Sequence, residues 1–459
     1  MNRRHDVLVI GAGSAGYAAA RTAHALGADV GLCDPGPLGG LCILRGCMPT
    51  KALLRAAEVA ALMRRAPEFG VAAGPPRIDF AAVMARKDRL VAEFAAERIA
   101  ALRDGRFRLY EQPAVFVSPA AVRAGKDRIE ADRFVIATGS VPAATAVPGL
   151  DAAGYLTSDA ALALRQLPAS MVVLGGGPVA LELAQFFQRL GTRVALIQRR
   201  AHVLSRTDED IARPLESRLR AEGMEVFTET RLLSVSATEG GRCVRFLHRG
   251  EQRAVRGQVI LQALGRRPAV DGLGLERAGV ALAGGSVVVD AELRSSQPHI
   301  YAVGDVNGVQ QAVHSAVLQG EIAAHNAVRR DRPARRLDRR LTLEVTFTDP
   351  QVAGVGLTER ECRSRGIAYR VAAHPFSEHG RSLCMGDTDG HAKLLCEPAT
   401  GRILGGHVVG PGAGEIIHEL AVAMRYGGTV QQLAETPHYH PTLAEILTYP
   451  AEELASQIA

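Results

Sequence analysis

The stretch "DVLVIGAGSAGYAAARTAHALGADVGLCD", residues 6–34, decides the fold. An apolar run of strand length meets a glycine turn, then an alanine-rich helical run, then a second short apolar run ending in an acid. The order is strand, turn, helix, strand. Each glycine has its own physical task. Gly11 permits the tight turn off the strand, Gly13 leaves room for a pyrophosphate to approach the backbone, and Gly16 lets the helix lie close on the sheet. The helix start then presents free N–H groups and a partial positive charge to phosphate. Asp34, at the end of the second strand, is placed to accept hydrogen bonds from a ribose.

The unit occurs twice. In "SMVVLGGGPVALELAQFFQRLGTRVALIQ", residues 170–198, Gly175, Gly177 and Ala180 stand where Gly11, Gly13 and Gly16 stood. Ala180 is small enough for the third task. Pro178 suits a first helical turn, where its missing N–H costs nothing. Gly11 is as far from Asp34 as Gly175 is from Gln198. Two dinucleotide sites in one chain imply two cofactors on either side of a transfer step. The second unit ends in Gln198 followed by Arg199 and Arg200. An acid there would repel a 2′-phosphate, whereas a neutral residue with two guanidiniums favours it. NADPH is therefore expected over NADH.

Composition sets outer bounds. A chain of 459 residues needs more than one core. Its seven cysteines are too few for a disulfide-stapled secreted module. The N-terminal apolar run turns glycine-rich too soon for an export signal, and no apolar stretch is long enough to span a bilayer. A soluble, cytoplasmic protein is expected. The net charge of +6 comes from 50 arginines and only four lysines. That skew reads as a chain-wide bias. The densest run, "RRDRPARRLDRR" at 329–340, reads as a solvated linker, with a nucleic-acid patch as its alternative.

Two further stretches carry chemistry. "GGLCILRGCMPTK", residues 39–51, holds Cys42 and Cys47. The other cysteines are scattered singly, so no metal site is expected. Gly39, Gly40 and Gly46 let the backbone bend around a flat ligand. "PTKALLRAAEVAALMRR" reads as a helix beginning at or near Pro49. Its N-terminus, with Lys51 one turn on, would stabilise a thiolate at Cys47. A dithiol so placed can take up an electron pair and pass it to another disulfide; a chance spacing of two cysteines is the alternative. In "TPHYHPTLAEIL", residues 436–447, His440 precedes Pro441, and Glu445 can steady the imidazole as an orienting carboxylate. His438 reads either as a supporting donor or as a surface residue.

These motifs resemble, nearly end to end, the FAD-dependent pyridine nucleotide–disulfide oxidoreductases, among them dihydrolipoamide dehydrogenase, glutathione reductase and mercuric reductase. "GGLCILRGCMPTK" is similar to the family's redox motif. "RFVIATGSVP" (133–142) and "QALGRRP" (262–268) resemble its crossings between cofactor domains. "SSQPHIYAVGD" (295–305) resembles its second flavin motif, and "TFTDPQVAGVGLTE" (346–359) the start of its dimer-interface domain. The resemblance implies an α/β fold with two Rossmann-like domains, one for FAD over 1–149 and 268–335 and one for NAD(P) over 150–267. An α+β dimerisation domain would follow over 341–459. It implies cofactor contacts at Gly40, Thr138, Gly139, Gly265, Gly304 and Asp305. By the same resemblance, Cys42 would be the interchange thiol and Cys47 the thiol beside the flavin. Lys51 would sit near the flavin and pair with Glu182, a position that otherwise reads as a helix-surface carboxylate. His440 would reach the cysteines from the other subunit of a homodimer.

The sequence also departs from the family. Leu41 replaces a usual threonine, "ILR" at 43–45 replaces a more polar stretch, and Pro178 stands where many members carry a residue covering the nicotinamide. The final residues hold no cysteine pair and no metal-binding extension precedes the first strand, which is expected to argue against a full mercuric reductase. The interface-domain sequence is most similar to dihydrolipoamide dehydrogenase, and a small dithiol or disulfide is the expected substrate. A flavin-dependent transhydrogenase, a quinone reductase and a mercuric-reductase-like enzyme are the alternatives.

Overall fold

The first apolar run becomes the strand Asn2–Ile10, which lies among the parallel strands of a mixed sheet. The computed structural model describes residues 2–458. The chain folds into two units, one of Met1–Pro49, Ala85–Ala144 and Gly265–Asp338, the other of Thr50–Met84, Thr145–Leu264 and Arg339–Ala459.

In the first unit, Asn2–Ile10 pairs in parallel with Val30–Cys33 on one side and Asp127–Ile136 on the other. Arg108–Tyr110 extends the sheet beyond Val30–Cys33, and Ile300–Ala302 joins the far half of Asp127–Ile136. Register aligns the strand ends. Ile10 lies opposite Cys33 and Ile136, and Ile136 lies opposite Ala302. Four strands thus end level, and Gly11, Asp34, Ala137–Gly139 and Gly304 leave the sheet at one edge. Ligands of open α/β sheets bind at this carboxyl edge. Both faces are covered, which is why the strands are continuously apolar rather than alternating. On one side the helices Ser14–Ala25 and Val313–Val328 pack on each other; Gly320 permits it, since a Cβ there would lie 2.4 Å from the Ala15 carbonyl.

The second unit repeats the design and adds a new layer. Ser170–Leu174 is flanked in parallel by Arg193–Ile197 and Val259–Gln262, with Glu225–Phe227 outside. Leu174, Ile197 and Gln262 end level, so Gly175, Gln198 and the loop to Gly265 emerge together. The remaining chain builds an antiparallel sheet in the order Leu343–Thr346, Gln351–Gly356, Ile403–Gly410, His391–Cys396, Arg370–Pro375. Its expected hairpin is present, with the turn closed by Gly401 N–H on the Glu397 carbonyl. The amphipathic helix Ala413–Arg425 packs on this sheet through Ile416, Ile417 and Leu420, and Gly427 follows its end at positive φ. The arginine run at 331–336 is exposed and lacks regular structure, as a linker should. Among the described residues, no helix is long and apolar enough to cross a membrane.

Candidate active site and cofactor cradles

Gly40 opens a short helix, Gly40–Arg45, that carries Cys42, and Cys47 is the first residue of the helix Cys47–Arg65. Gly46 joins them. A Cβ there would lie 2.9 Å from the Leu41 carbonyl and 3.2 Å from the Cys42 Cα, so glycine is what allows the second helix to start against the first. The helix begins two residues ahead of the expected Pro49, because proline is tolerated in a first turn whose N–H groups have no intrahelical partner. The sulfur thus sits within that turn, where the helix field favours a thiolate. Cys42 and Cys47 are both thiols and hydrogen-bond to each other. That bond, then burial, pushes the Cys42 thiol far up, with the Arg98 guanidinium pulling weakly the other way. Of the two sulfurs, Cys42 is the one whose proton is held more firmly than in an ordinary thiol.

Lys51 lies one turn along the same helix, and its Nζ donates to both Glu182 carboxylate oxygens at 2.8 and 3.1 Å. Glu182 is only 4% exposed, which excludes the surface-carboxylate reading. Its carboxylate also accepts the Phe347 N–H at 2.9 Å, and the Phe347 ring lies 4.4 Å beneath the Lys51 ammonium. Phe347 was not legible as a site residue because its part is played by backbone and ring face.

His440 and Glu445 come together as expected, with His440 Nδ1 at 2.9 and 3.1 Å from the two carboxylate oxygens. The His440 side chain is 73% exposed, so Nε2 is open while Nδ1 is held. A neutral ring held this way carries its proton on Nδ1 and a lone pair on Nε2. His438 is a held donor, not a surface residue. Its ring is buried between the Thr436 carbonyl at 2.8 Å and Glu419 at 2.7 Å.

The two glycine turns form matching cradles. Gly11 has φ +103°, and a Cβ would meet the Ala137 carbonyl oxygen at 2.4 Å; Gly175 has φ +115° and would meet that of Ala263 at 2.4 Å. Gly13 and Gly177, by contrast, face open space, as do Gly139 and Gly265. Neither the helix Ser14–Ala25 nor Pro178–Leu190 has a side-chain cap, so their first N–H groups are left for a ligand. Gly16 packs so closely that a Cβ would overlap the Gly11 carbonyl. Gly40 has φ +75° and lies against Gly13, where a Cβ would come 2.7 Å from its Cα. The loop that bears the two cysteines is therefore seated on the first glycine turn.

Polar groups around the first cradle are partly committed. Asp34 accepts the Ala12 N–H at 2.6 Å and the Gly36 N–H at 2.7 Å, bracing the turn while keeping lone pairs for a ribose. Thr138 donates its hydroxyl to the Ala269 carbonyl. Gly304 donates its N–H to buried Gln319, which fixes the turn bearing Asp305. Asp305 accepts the Ser140 hydroxyl at 2.5 Å, and Arg266 steadies Ser140 through its hydroxyl and carbonyl oxygens. Neither Ser140 nor Arg266 stood out in the sequence, since both act through a residue that did. Open glycines, uncapped helix starts and a braced carboxylate fit FAD at the first cradle and NAD(P) at the second.

In the second cradle Gln198 is buried. It donates to the His202 carbonyl and accepts the Arg199 N–H, so it shapes the loop. Arg199 and Arg200 are exposed. Val179, beside Pro178, is an exposed apolar residue at the helix start.

Two hydrogen-bonded thiols close to a dinucleotide turn, in a chain with two such turns, define a nucleotide-linked oxidoreductase of thiols and disulfides. Comparison with known proteins gives the family. The chain belongs to the pyridine nucleotide-disulphide oxidoreductases: the model of that family matches residues 5–320, and its dimerisation-domain model matches residues 342–451. The chain is 38% identical to a mercuric reductase of Streptomyces lividans, over 99% of this chain and 97% of that protein. It is 37% identical to a dihydrolipoyl dehydrogenase of Thermus scotoductus, over 99% and 98%. Among solved structures, LpdA of Mycobacterium tuberculosis superposes with a TM-score of 0.88 at 29% identity, covering 98% of this chain and 99% of that one. The HOCl-induced flavoprotein disulfide reductase RclA of Escherichia coli, as a Cu(II) complex, superposes with a TM-score of 0.86 at 26% identity, covering 99% and 100%. The protein is a flavoprotein disulfide oxidoreductase, an enzyme acting on sulfur groups in a family that depends on FAD and NAD(P)H.

Proposed function

We propose that the chain exchanges electrons between NADPH and a small disulfide of the lipoamide kind through Cys42 and Cys47, as a homodimer whose sites are completed by the partner's histidine. The observation that carries this reading is the hydrogen bond between the two thiols at the start of a helix. When bound, FAD supplies a two-electron relay between the nicotinamide and the cysteine pair.

The protein's own residues do the rest. Cys42 is the attacking sulfur. Its proton is held firmly, so a base must remove it. His440 is that base: Glu445 holds Nδ1, leaving the Nε2 lone pair to accept. The Cys42 thiolate attacks one substrate sulfur. A Cys42–substrate disulfide forms, the substrate S–S bond breaks, and the departing thiolate takes the proton from His440. Cys47, favoured as a thiolate by the helix start, then attacks the Cys42 sulfur. A Cys42–Cys47 disulfide forms and the second substrate thiolate leaves. The dithiol has lost two electrons and the substrate has gained them. Run backwards, the same steps oxidise a dithiol. Lys51, with Glu182 as its counter-charge, holds a positive charge one turn from Cys47.

The functional domains follow the FAD, NAD(P) and interface partition at 1–149 with 268–335, 150–267 and 341–459. Exposed Arg199 and Arg200 supply the charge for a 2′-phosphate, and neutral Gln198 does not repel it. Exposed Leu383, Val422, Tyr426 and Tyr439 supply apolar surface for a second copy. All seven cysteines are free thiols, which suits the reducing cytoplasm. A second reading, reduction of a soft metal ion at the same dithiol, is favoured by the 38% identity to a mercuric reductase.

The test is steady-state turnover with NADPH and NADH against lipoamide, glutathione disulfide and mercuric ion. Lipoamide turnover that collapses in Cys42→Ser, with a higher kcat/KM for NADPH, supports the proposal. Turnover of mercuric ion alone transfers it to the second reading. A higher kcat/KM for NADH removes the nucleotide assignment.

A further inference from the structure

His379 is fully buried, yet its Nε2 atom has no hydrogen-bond partner. That atom lies 4.0 Å from Oε2 of Glu445, the carboxylate that holds His440. A buried unpaired polar atom is costly unless it has work to do.

The ring's tautomer follows from its other side. Nδ1 lies 2.9 Å from the Ser382 hydroxyl, and Ser382 is also fully buried. A buried hydroxyl donates to an available acceptor, and the ring nitrogen is the acceptor here. With Ser382 as the donor to Nδ1, the His379 proton sits on Nε2, on the side of Glu445. Burial pushes the His379 ring down toward the neutral form, against the pull of Glu445. Glu445 thus lies between two imidazoles, one exposed and bonded to both of its oxygens, one buried and facing Oε2.

We propose that His379 is a positioning residue for proton transfer: its Nε2–H, set by Ser382, orients the Glu445 carboxylate that holds Nδ1 of His440. This rests on the reading of His440 as the base. The other groups around the ring are accounted for. The Thr442 carbonyl faces the ring as a weak acceptor, short of a well-formed hydrogen bond, and favours its charged form, while His374 and His440 oppose it by like charge. The Tyr449 ring meets His379 edge-on at 6.2 Å and stacks on His374 at 4.1 Å. Phe376 packs edge-on at 6.0 Å. Glu445 is the carboxylate that faces the ring.

The experiment measures kcat/KM for lipoamide against pH in the flavin-loaded dimer, for the wild type, His379→Leu, His379→Gln, Ser382→Ala and His440→Gln. His379→Leu removes the donor and moves the limb set by the base toward acid by about half a pH unit or more. His379→Gln places an amide N–H in the same space and restores the wild-type limb. A His379→Leu profile that superimposes on the wild type overturns the proposal, as does a glutamine variant that fails to restore it. Should His379→Leu yield no folded flavoprotein, Ser382→Ala decides. It frees the tautomer and shifts the limb in the same direction, and an unshifted profile overturns the proposal. His440→Gln separates the two readings. If it leaves turnover and profile intact, the base assignment itself has failed; if it collapses turnover while His379→Leu shifts nothing, only the positioning role has.

Discussion

Cys42 and Cys47 differ in what surrounds each sulfur, as the proposed division of their labour requires. The Cys42 thiol is pushed up by its bond to Cys47 and by burial, while Cys47 opens a helix. The pair at Lys51 and Glu182 follows the same logic of unequal surroundings: the lysine is partly exposed and the carboxylate is buried. Removing the lysine's partner leaves a cation facing an aromatic ring and a backbone N–H with no acceptor. Glu182→Ala should therefore destabilise the protein by about 2 kcal/mol, after allowance for the solvent that reaches Lys51. Urea unfolding of the variant against the wild type measures this, and an unchanged midpoint contradicts it. Glu182 and Lys51 were legible in the sequence only through resemblance, since nothing local links residues so far apart. Phe347, Ser140 and His379 were not legible. Their parts depend on a backbone amide, a relayed hydroxyl and a buried ring, which ordinary residue types supply without any motif.

At the scale of the element, the two strand–turn–helix units were fully readable, because their spacing is local and each small residue answers a steric demand. The structure sharpens this by separating two kinds of glycine. Gly11 is needed for the fold, having positive φ and a carbonyl 2.4 Å from any Cβ; Gly13 meets only open space, as the proposed approach of a pyrophosphate requires. Gly11→Ala should lower both stability and the yield of folded protein. Gly13→Ala should fold with a wild-type melting temperature yet retain less FAD, read as the ratio of flavin to protein absorbance. Equal melting temperatures for both variants would contradict this division. The helix expected at or near Pro49 starts at Cys47, with the proline in its first turn. In a first turn it costs no hydrogen bond, so the helix extends past it.

On the scale of the whole molecule, one buried lysine ties distant parts of the second unit together. Lys393 is 1% exposed and donates to Asp208 at 3.0 Å, Asp210 at 2.8 Å and Glu359 at 3.2 Å. Burial works against the ionisation of Asp208 and Asp210. Lys393, joined by His391 on Asp210, outweighs it, and both carboxyls are held below their usual range. Burial likewise opposes the charge on Lys393, and the carboxylates outweigh it, so its affinity for a proton is raised. The carboxylates' contribution is fully present above their unfolded value, about 3.9 for aspartate, and is lost as pH falls through the folded values. The lysine's contribution is present below about 10.4 and is lost as pH rises through its folded value. Lys393→Met should cost roughly 3 kcal/mol at neutral pH, with the deficit shrinking below about pH 4. Denaturant unfolding of both proteins across that range checks it, and a deficit independent of pH would contradict it.

The proposed electron route needs Cys42 and Cys47 to form a redox couple that exchanges electrons with the bound flavin. An anaerobic reductive titration of the flavoprotein tests it most directly. The wild type should take up about twice the electron equivalents of Cys42→Ser before its flavin is fully reduced, because the disulfide fills as well. Equal uptake by the two proteins would contradict the claim.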